Sequence, residues 1–389
     1  MCICAGTRSR YSLAYATASG VASRKTSSIY SDFFILIEGG AKVYRPLSAN
    51  VVPKWVDSKW QMTQPVVEAK ASAPTITKTV TNGLEKDHAD IGDKLSFELN
   101  AVVPTYPQNA LAKKYIVSDK LSHGLTLLKN SIKVYGVNNQ TETLLQNSYV
   151  EITERPVGDE DISFALDFKY DVISKYESLK ISYDVLLNEN AAVGEAGNSN
   201  HAYLDYNNNP YVSTSWKTDG DRTTVYTYGM KIAKVDEKEE KGLAGAEFTL
   251  SKDDKNISFA GTDGNYHVAA DGEEKITVLK TNEKGELLLD GLDADVYYLT
   301  EVKAPEGYVK LQNPIEVTIA DSDMDGKPEA ENKESSDGYI PVIVKNDRGF
   351  SLPVTGGMGT LMFNIAGVVL IGAGLICMVC ISRNSKKKK

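Results

Sequence analysis

The chain has 389 residues, 42% of them hydrophobic and 24% charged, enough for two or three ordinary globular domains. A net charge of −9, with the only dense run of cations at 383–389, excludes the basic footprint of a nucleic-acid-binding protein. The cysteines are Cys2, Cys4, Cys377 and Cys380, so no disulfide can form within 5–376.

In chain order, residues 1–72 read as irregular, with weak strand signals at 33–37 and 41–44, and VVEAKASAP (66–74) reads as a linker. Residues 1–30 hold no continuous apolar stretch of signal-peptide kind, and FFILI (33–37) is too short and follows Asp32. The native start is therefore expected to differ from the one given. From 75 the pattern becomes short alternating runs: TITKTV (75–80), KLSFELNAV (94–102), YIVSD (115–119), SIKVYGV (131–137), ISFALDFKYDV (162–172), LKISYDVLL (179–187) and HAYLDY (201–206). NNNP (207–210) is a turn signal near the end of this series. A second series follows 227: GMKIAKVD (229–236), AEFTLS (246–251), KITVLK (275–280), ELLL (286–289), VYYLTEV (296–302), IEVTIA (315–320) and PVIVKN (341–346). Many short strands between turns predict two all-β, immunoglobulin-like sandwiches, over 73–226 and 227–350.

The run LMFNIAGVVLIGAGLICMVCI (361–381) is uncharged and, as a helix, would be about 30 Å long, one bilayer core. The RNSKKKK tail behind it should stay cytoplasmic, leaving residues before 360 outside. Cys377 and Cys380 have redox-motif spacing but lie in this run, where they read as small apolar residues.

No enzyme signature emerges. His88, His123, His201 and His267 are scattered without ligand spacing, and no nucleophile elbow, phosphate loop or zinc pattern occurs. DSDMDG (321–326) begins like a calcium loop, but its twelfth position is Asn332, Pro328 interrupts it and no helices flank it; it reads as a solvated acidic hairpin tip.

More informative are polar residues on faces that should be buried. Residues two apart on a strand share a face. Lys78 thus aligns with Ile76 and Val80, Asp119 with Tyr115 and Val117, and Asn200 with Ala202, Leu204 and Tyr206. In the second series Glu301 aligns with Tyr297 and Leu299, and Asn346 with Val342 and Val344, while Lys345 points the other way. Burial lowers a lysine's pKa and raises a carboxylic acid's. A neutral amine is a nucleophile and a protonated acid can donate to an amide carbonyl, so such a trio could form a Lys–Asn amide and expel ammonia.

Several stretches resemble known families. KIAKVD with GLAGAEFTL (242–250), YYLTEVKAPEGY (297–308) and IPVIVKN make the second unit similar to Cna B-type domains of Gram-positive pilins and adhesins. PTITKTV, ADIGDKLSFEL, YIVSDKLSHGLTL and GNSNHAYLDYNNNP make the first resemble the isopeptide-forming middle domain of major pilins. The implied fold is all-β: tandem Cna-type sandwiches followed by one C-terminal transmembrane helix. The resemblance implies an isopeptide between Lys231 and Asn346 with Glu301 as the promoting acid. Lys234 is the alternative lysine, since strand parity alone does not choose. In the first unit it implies Lys78 and Asn200 with Asp119 as acid, Asp184 or Glu189 being substitutes for the acid.

LPVTG (352–356), an apolar span and a basic tail, in that order, resemble a sortase sorting signal. The family implies cleavage between Thr355 and Gly356, within the motif that includes Leu352 and Pro353, and transfer of the Thr355 carbonyl to an acceptor amine. That amine belongs to peptidoglycan or to a lysine of a neighbouring pilin. The pilin-linking lysine usually sits in a Tyr-Pro-Lys-like motif; VVPKW (51–55) offers Lys54 but lacks the tyrosine, and an ordinary turn lysine is the competing reading. The expectation is a fimbrial shaft subunit on the cell surface of a Gram-positive bacterium, with no cofactor. Its partners would be pilus-type and housekeeping sortases, other pilins, peptidoglycan and host surface ligands. The alternative is a non-polymerising, wall-anchored adhesin with the same stalk domains.

Overall fold

The computed structural model describes residues 2–6, 13–17, 31–38, 40–45, 47–62, 68, 70–158, 161–330 and 333–348. The expected sorting signal at 352–356, the apolar span 361–381 and Asn332 lie outside these residues. Among the described residues no helix is long and apolar enough to cross a membrane.

The first sandwich packs two sheets. One has the strand order Lys86–His88, Trp216–Tyr226, Asn198–Asn207, Tyr115–Leu121, Phe164–Phe168, Tyr149–Ile152. The other runs Thr141–Leu144, Lys133–Asn138, Ser178–Leu187, Lys94–Val102, Ile76–Val80. Strict alternation makes the core: Leu95, Phe97, Leu99 and Ala101 on one strand and Leu179, Ile181, Tyr183, Val185 and Leu187 on its neighbour are all buried.

The second sandwich opposes a sheet ordered Phe259–Thr262, Asn265–Val268, Glu286–Leu292, Tyr228–Asp236, Tyr339–Asn346 to one ordered Lys255–Asn256, Glu247–Lys252, Val296–Lys303, Ile315–Thr318. Its first and last strands lie side by side and parallel, with Lys234 opposite Val344 and Asp236 opposite Asn346. Two-residue hairpin turns with both residues at positive φ join several pairs, among them Asn139-Gln140, Asp253-Asp254 and Asp263-Gly264. This is the backbone twist that tight hairpins require.

Two expectations need correction. The N-terminal segment is not irregular: Cys2–Gly6, Leu13–Thr17, Ser31–Glu38 and Leu47–Val51 form an antiparallel sheet, and Pro53–Val56 pairs with Lys59–Met62. Strands such as CICAG and LAYAT are rich in small residues and carry too little polar contrast to read as alternating. The acidic loop is also not a solvated tip. Asp321 is buried and accepts from the Tyr228 hydroxyl and from Gly326 N at 2.7 Å, while Lys327 reaches Glu195 of the first sandwich at 3.3 Å. Asp321, Asp323 and Asp325 present carboxylate oxygens within 4.8 Å of one another.

Candidate functional site

Lys78 sits in the first strand of the first sandwich, between the buried Ile76 and Val80. Two carboxylates of the opposite sheet fix that strand, Asp219 accepting from Ile76 N at 2.8 Å and Asp221 from Lys78 N at 2.7 Å. The Lys78 side chain is thereby held inward, 1% exposed, over the rings of Phe97 and Tyr183. Its Nζ donates to Asp119 Oδ2 and, at 2.7 Å, to the Tyr183 hydroxyl. Tyr183 donates to Asp119 Oδ2 at 2.9 Å and accepts from Asn200 Nδ2 at 3.1 Å. Asp119 and Asn200 come from neighbouring strands of the opposite sheet and are fully buried. Lys78, Asp119 and Asn200, taken from three separate strands, therefore converge on one point.

Burial drives the electrostatics. It pushes the Lys78 ammonium down to about 8, against the pull of Asp119. It likewise pushes the Asp119 carboxyl up, against Lys78. The ion pair and its tautomer, neutral amine with protonated acid, are thus brought close in energy. Asn200 Oδ1 and Asp119 Oδ1 have no hydrogen-bond partner, an unspent capacity that is costly in a dry core.

The second site has the same components in a different frame. Glu301 enters from the opposite sheet and is 2% exposed. It accepts from Asn346 Nδ2 at 2.8 and 3.1 Å and from Leu311 N at 2.7 Å. Lys234 is fully buried, with Nζ 3.8 Å from Glu301 Oε1 and donating to Val344 O at 3.2 Å. Burial pushes its pKa down to about 8, opposed by Glu301. Asn346 Oδ1 is again without a partner.

Lys231, the lysine that the resemblance favoured, is elsewhere. It lies on the outer face, paired with Asp337 and 4.4 Å from the Tyr339 ring centroid. The strand buries Met230, Ile232 and Lys234 together, and Lys231 falls on the other parity. Of the substitute acids, Asp184 faces outward with Lys94 and Ser96, and Glu189 is exposed beside Asn190. Lys54 is exposed on the hairpin Pro53–Val56, opposite Gln61. The residue that sequence reasoning missed is Tyr183, although the alternation of LKISYDVLL already places it inward with Ile181 and Val185.

Comparison with known proteins finds matches for both sandwiches. Residues 91–210 match the family described as Gram-positive pilin backbone subunit 2, Cna-B-like domain, and residues 229–334 match the SpaA prealbumin-like fold domain. The trypsin-resistant surface T6 protein of Streptococcus pyogenes serotype M6 is 30% identical over 293 residues, 69% of this chain and 50% of that protein. Fimbrial subunit type 1 of Actinomyces viscosus is 25% identical over 354 residues, 77% of this chain and 64% of that subunit. The chain thus spans between half and two thirds of these relatives. In fold it is similar to the T6 backbone pilin of serotype M6 S. pyogenes, at TM-score 0.61 and 20% identity over 88% of this chain and 84% of that one. It is also similar to the group B streptococcus pilus 2b backbone protein, at TM-score 0.54 and 22% identity over 71% and 99%. The chain thus carries in succession two matched domains, one of the Gram-positive pilin backbone family and one of the SpaA prealbumin-like family.

Proposed function

We propose that the chain is a shaft subunit of a Gram-positive surface pilus, and that each of its two sandwiches closes an amide between a lysine and an asparagine, Lys78 with Asn200 and Lys234 with Asn346. One observation carries the reading: each domain buries a lysine, a carboxyl group and an asparagine in one connected cluster, joined through the Tyr183 hydroxyl in the first and through Glu301 in the second. A buried ion pair is a poor way to stabilise a sandwich that apolar residues would fill as well, so the trio calls for chemistry. The acid takes a proton from the ammonium, the neutral Nζ attacks the asparagine Cγ, and ammonia leaves. Holding lysine and asparagine on a shared partner, the Tyr183 hydroxyl or the Glu301 carboxylate, supplies the proximity. On the loop-entropy account each link stabilises its domain by on the order of 4–5 kcal/mol. The test is the mass of the full chain and of its tryptic peptides. We expect the loss of two ammonias and branched peptides joining Lys78 to Asn200 and Lys234 to Asn346; a mass equal to that of the sequence would refute the proposal.

Assembly is assigned to the C-terminal LPVTG, cut between Thr355 and Gly356, with the Thr355 carbonyl passed through a sortase thioester to an amine. That amine is a lysine of the next subunit or, at the base, peptidoglycan. Lys54, exposed on its hairpin, is the candidate lysine. A sortase-dependent, detergent-resistant ladder is expected in cells expressing the chain, and its persistence in Lys54→Ala would remove Lys54 from that role. Absence of any ladder would favour the wall-anchored adhesin.

A further inference from the structure

Tyr183 touches the reacting nitrogens of the first site as well as its acid. Its buried ring stacks on Phe97, with centroids 5.7 Å apart, and meets Phe164 edge-on at 5.1 Å, which fixes the hydroxyl. That hydroxyl accepts from Lys78 Nζ at 2.7 Å, donates to Asp119 Oδ2 at 2.9 Å and accepts from Asn200 Nδ2 at 3.1 Å. The second site differs here. There Asn346 Nδ2 bonds directly to the Glu301 carboxylate, which also accepts from Leu311 N and lies 3.8 Å from Lys234 Nζ. Aspartate is one methylene shorter than glutamate, and in the first site the phenol occupies the place between acid and amide.

We infer that Tyr183 is a catalytic residue for closing the Lys78–Asn200 amide, relaying a proton from the Asp119 carboxyl to the departing Nδ2 of Asn200. The inference rests on the amide-forming reading of this site. Asp119 first takes a proton from the Lys78 ammonium, leaving a neutral Nζ and a carboxylic acid. The Nζ lone pair then forms the Nζ–Cγ bond, and the carbonyl π pair moves onto Oδ1. As that pair returns, the Cγ–Nδ2 bond breaks. Nδ2 receives the Tyr183 hydroxyl proton, the phenol is refilled from Asp119, and Asp119 takes the second proton from Nζ. The products are a secondary amide, ammonia and a protonated Asp119, with every proton accounted for and no tyrosinate persisting. Burial, with Asp119 alongside, holds the phenol well above its ordinary pKa, so it enters the reaction protonated.

The test uses Tyr183→Phe in the full chain, which keeps the ring and removes only the hydroxyl. Linked and unlinked tryptic peptides are followed by mass spectrometry from synthesis onward. The Lys78–Asn200 link should form at least about 100-fold more slowly than in wild type, the usual size of a general acid–base contribution, while the Lys234–Asn346 link forms normally as internal control. Incorporation of 3-fluorotyrosine at 183, which makes the phenol more acidic without altering packing, should change the linking rate and its pH profile. It also covers the case in which the Phe variant does not fold. Linking of Tyr183→Phe at the wild-type rate, or indifference to the fluorine, would overturn the relay and leave the amide reading standing. Failure of wild type to link Lys78 to Asn200 would overturn the amide reading and the relay with it.

Discussion

Lys231 and Lys234 stand three positions apart on one strand and have opposite surroundings. Lys231 holds Asp337 at the surface, so Lys231→Ala should leave the second link intact and cost at most about 1 kcal/mol. Lys234→Ala should abolish the branched peptide to Asn346. Blocking the link without removing the lysine exposes the burial of the amine. In Asn346→Ala the Lys234 amine stays free, with a folded pKa of about 8 against an ordinary 10.5. Between those values the unfolded chain binds more protons than the folded one, so stability should rise with pH from about 8 to about 10. Above that, buried tyrosines such as Tyr228 and Tyr297, whose pKa values burial raises, hold protons the unfolded chain has lost and reverse the slope. Urea denaturation across this range, compared with Lys234→Met/Asn346→Ala, should show the rising limb only where the lysine is present. An equal slope in both would contradict the assignment.

At the scale of the strand, period-two alternation made most of both sandwiches legible. It aligned Lys78 with Ile76 and Val80, Asp119 with Val117, and Asn200 with Leu204, and the structure brings those three side chains together. It also carried the information for Tyr183, which a search confined to charged groups and amides passed over. Parity does not reveal which of two faces is buried when both carry apolar residues. In GMKIAKVD, Ala233 and Val235 accompany Lys231, while Met230 and Ile232 accompany Lys234, and the larger pair went inward. Nor can parity show how an edge strand is held. Ile76–Val80 is the edge of its sheet, and its outward N–H groups are met by Asp219 and Asp221 of the other sheet, a long-range arrangement invisible in local pattern. Asp221→Ala should therefore remove a charge-assisted bond worth about 1.5–3 kcal/mol. By loosening the strand that aims Lys78, it should also slow the first link but not the second. Thermal melting and the yield of branched peptide measure both effects, and an unchanged first link would show that the strand is held without this cap.

At the scale of the molecule, the two sandwiches meet across a close junction. Ile91 N donates to Gly291 O at 2.9 Å, Asp293 N to Asp90 Oδ1 at 2.7 Å, and Lys252 pairs with Asp90 at 3.3 Å. Gly194 (φ +77°) and Gly338 (φ +83°) let the backbones approach so nearly that a Cβ on Gly194 would lie 2.7 Å from Gly338 Cα. The proposed links complement this junction by deciding where tension runs. The first joins Lys78 on the opening strand of its domain to Asn200 near the end, and the second joins neighbouring first and last strands. Force entering before Lys78 and leaving after Asn346 would pass through both amides and bypass the chain enclosed by each. At about 3.4 Å per extended residue, each loop hides roughly 40 nm of contour length. Single-molecule stretching of wild type between residues 75 and 348 should show neither extension. Lys78→Ala should release one such step and Lys234→Ala the other, and the double variant should release both. If wild type itself lengthens by these steps, neither amide spans its domain, and the chain must resist tension by folding stability alone.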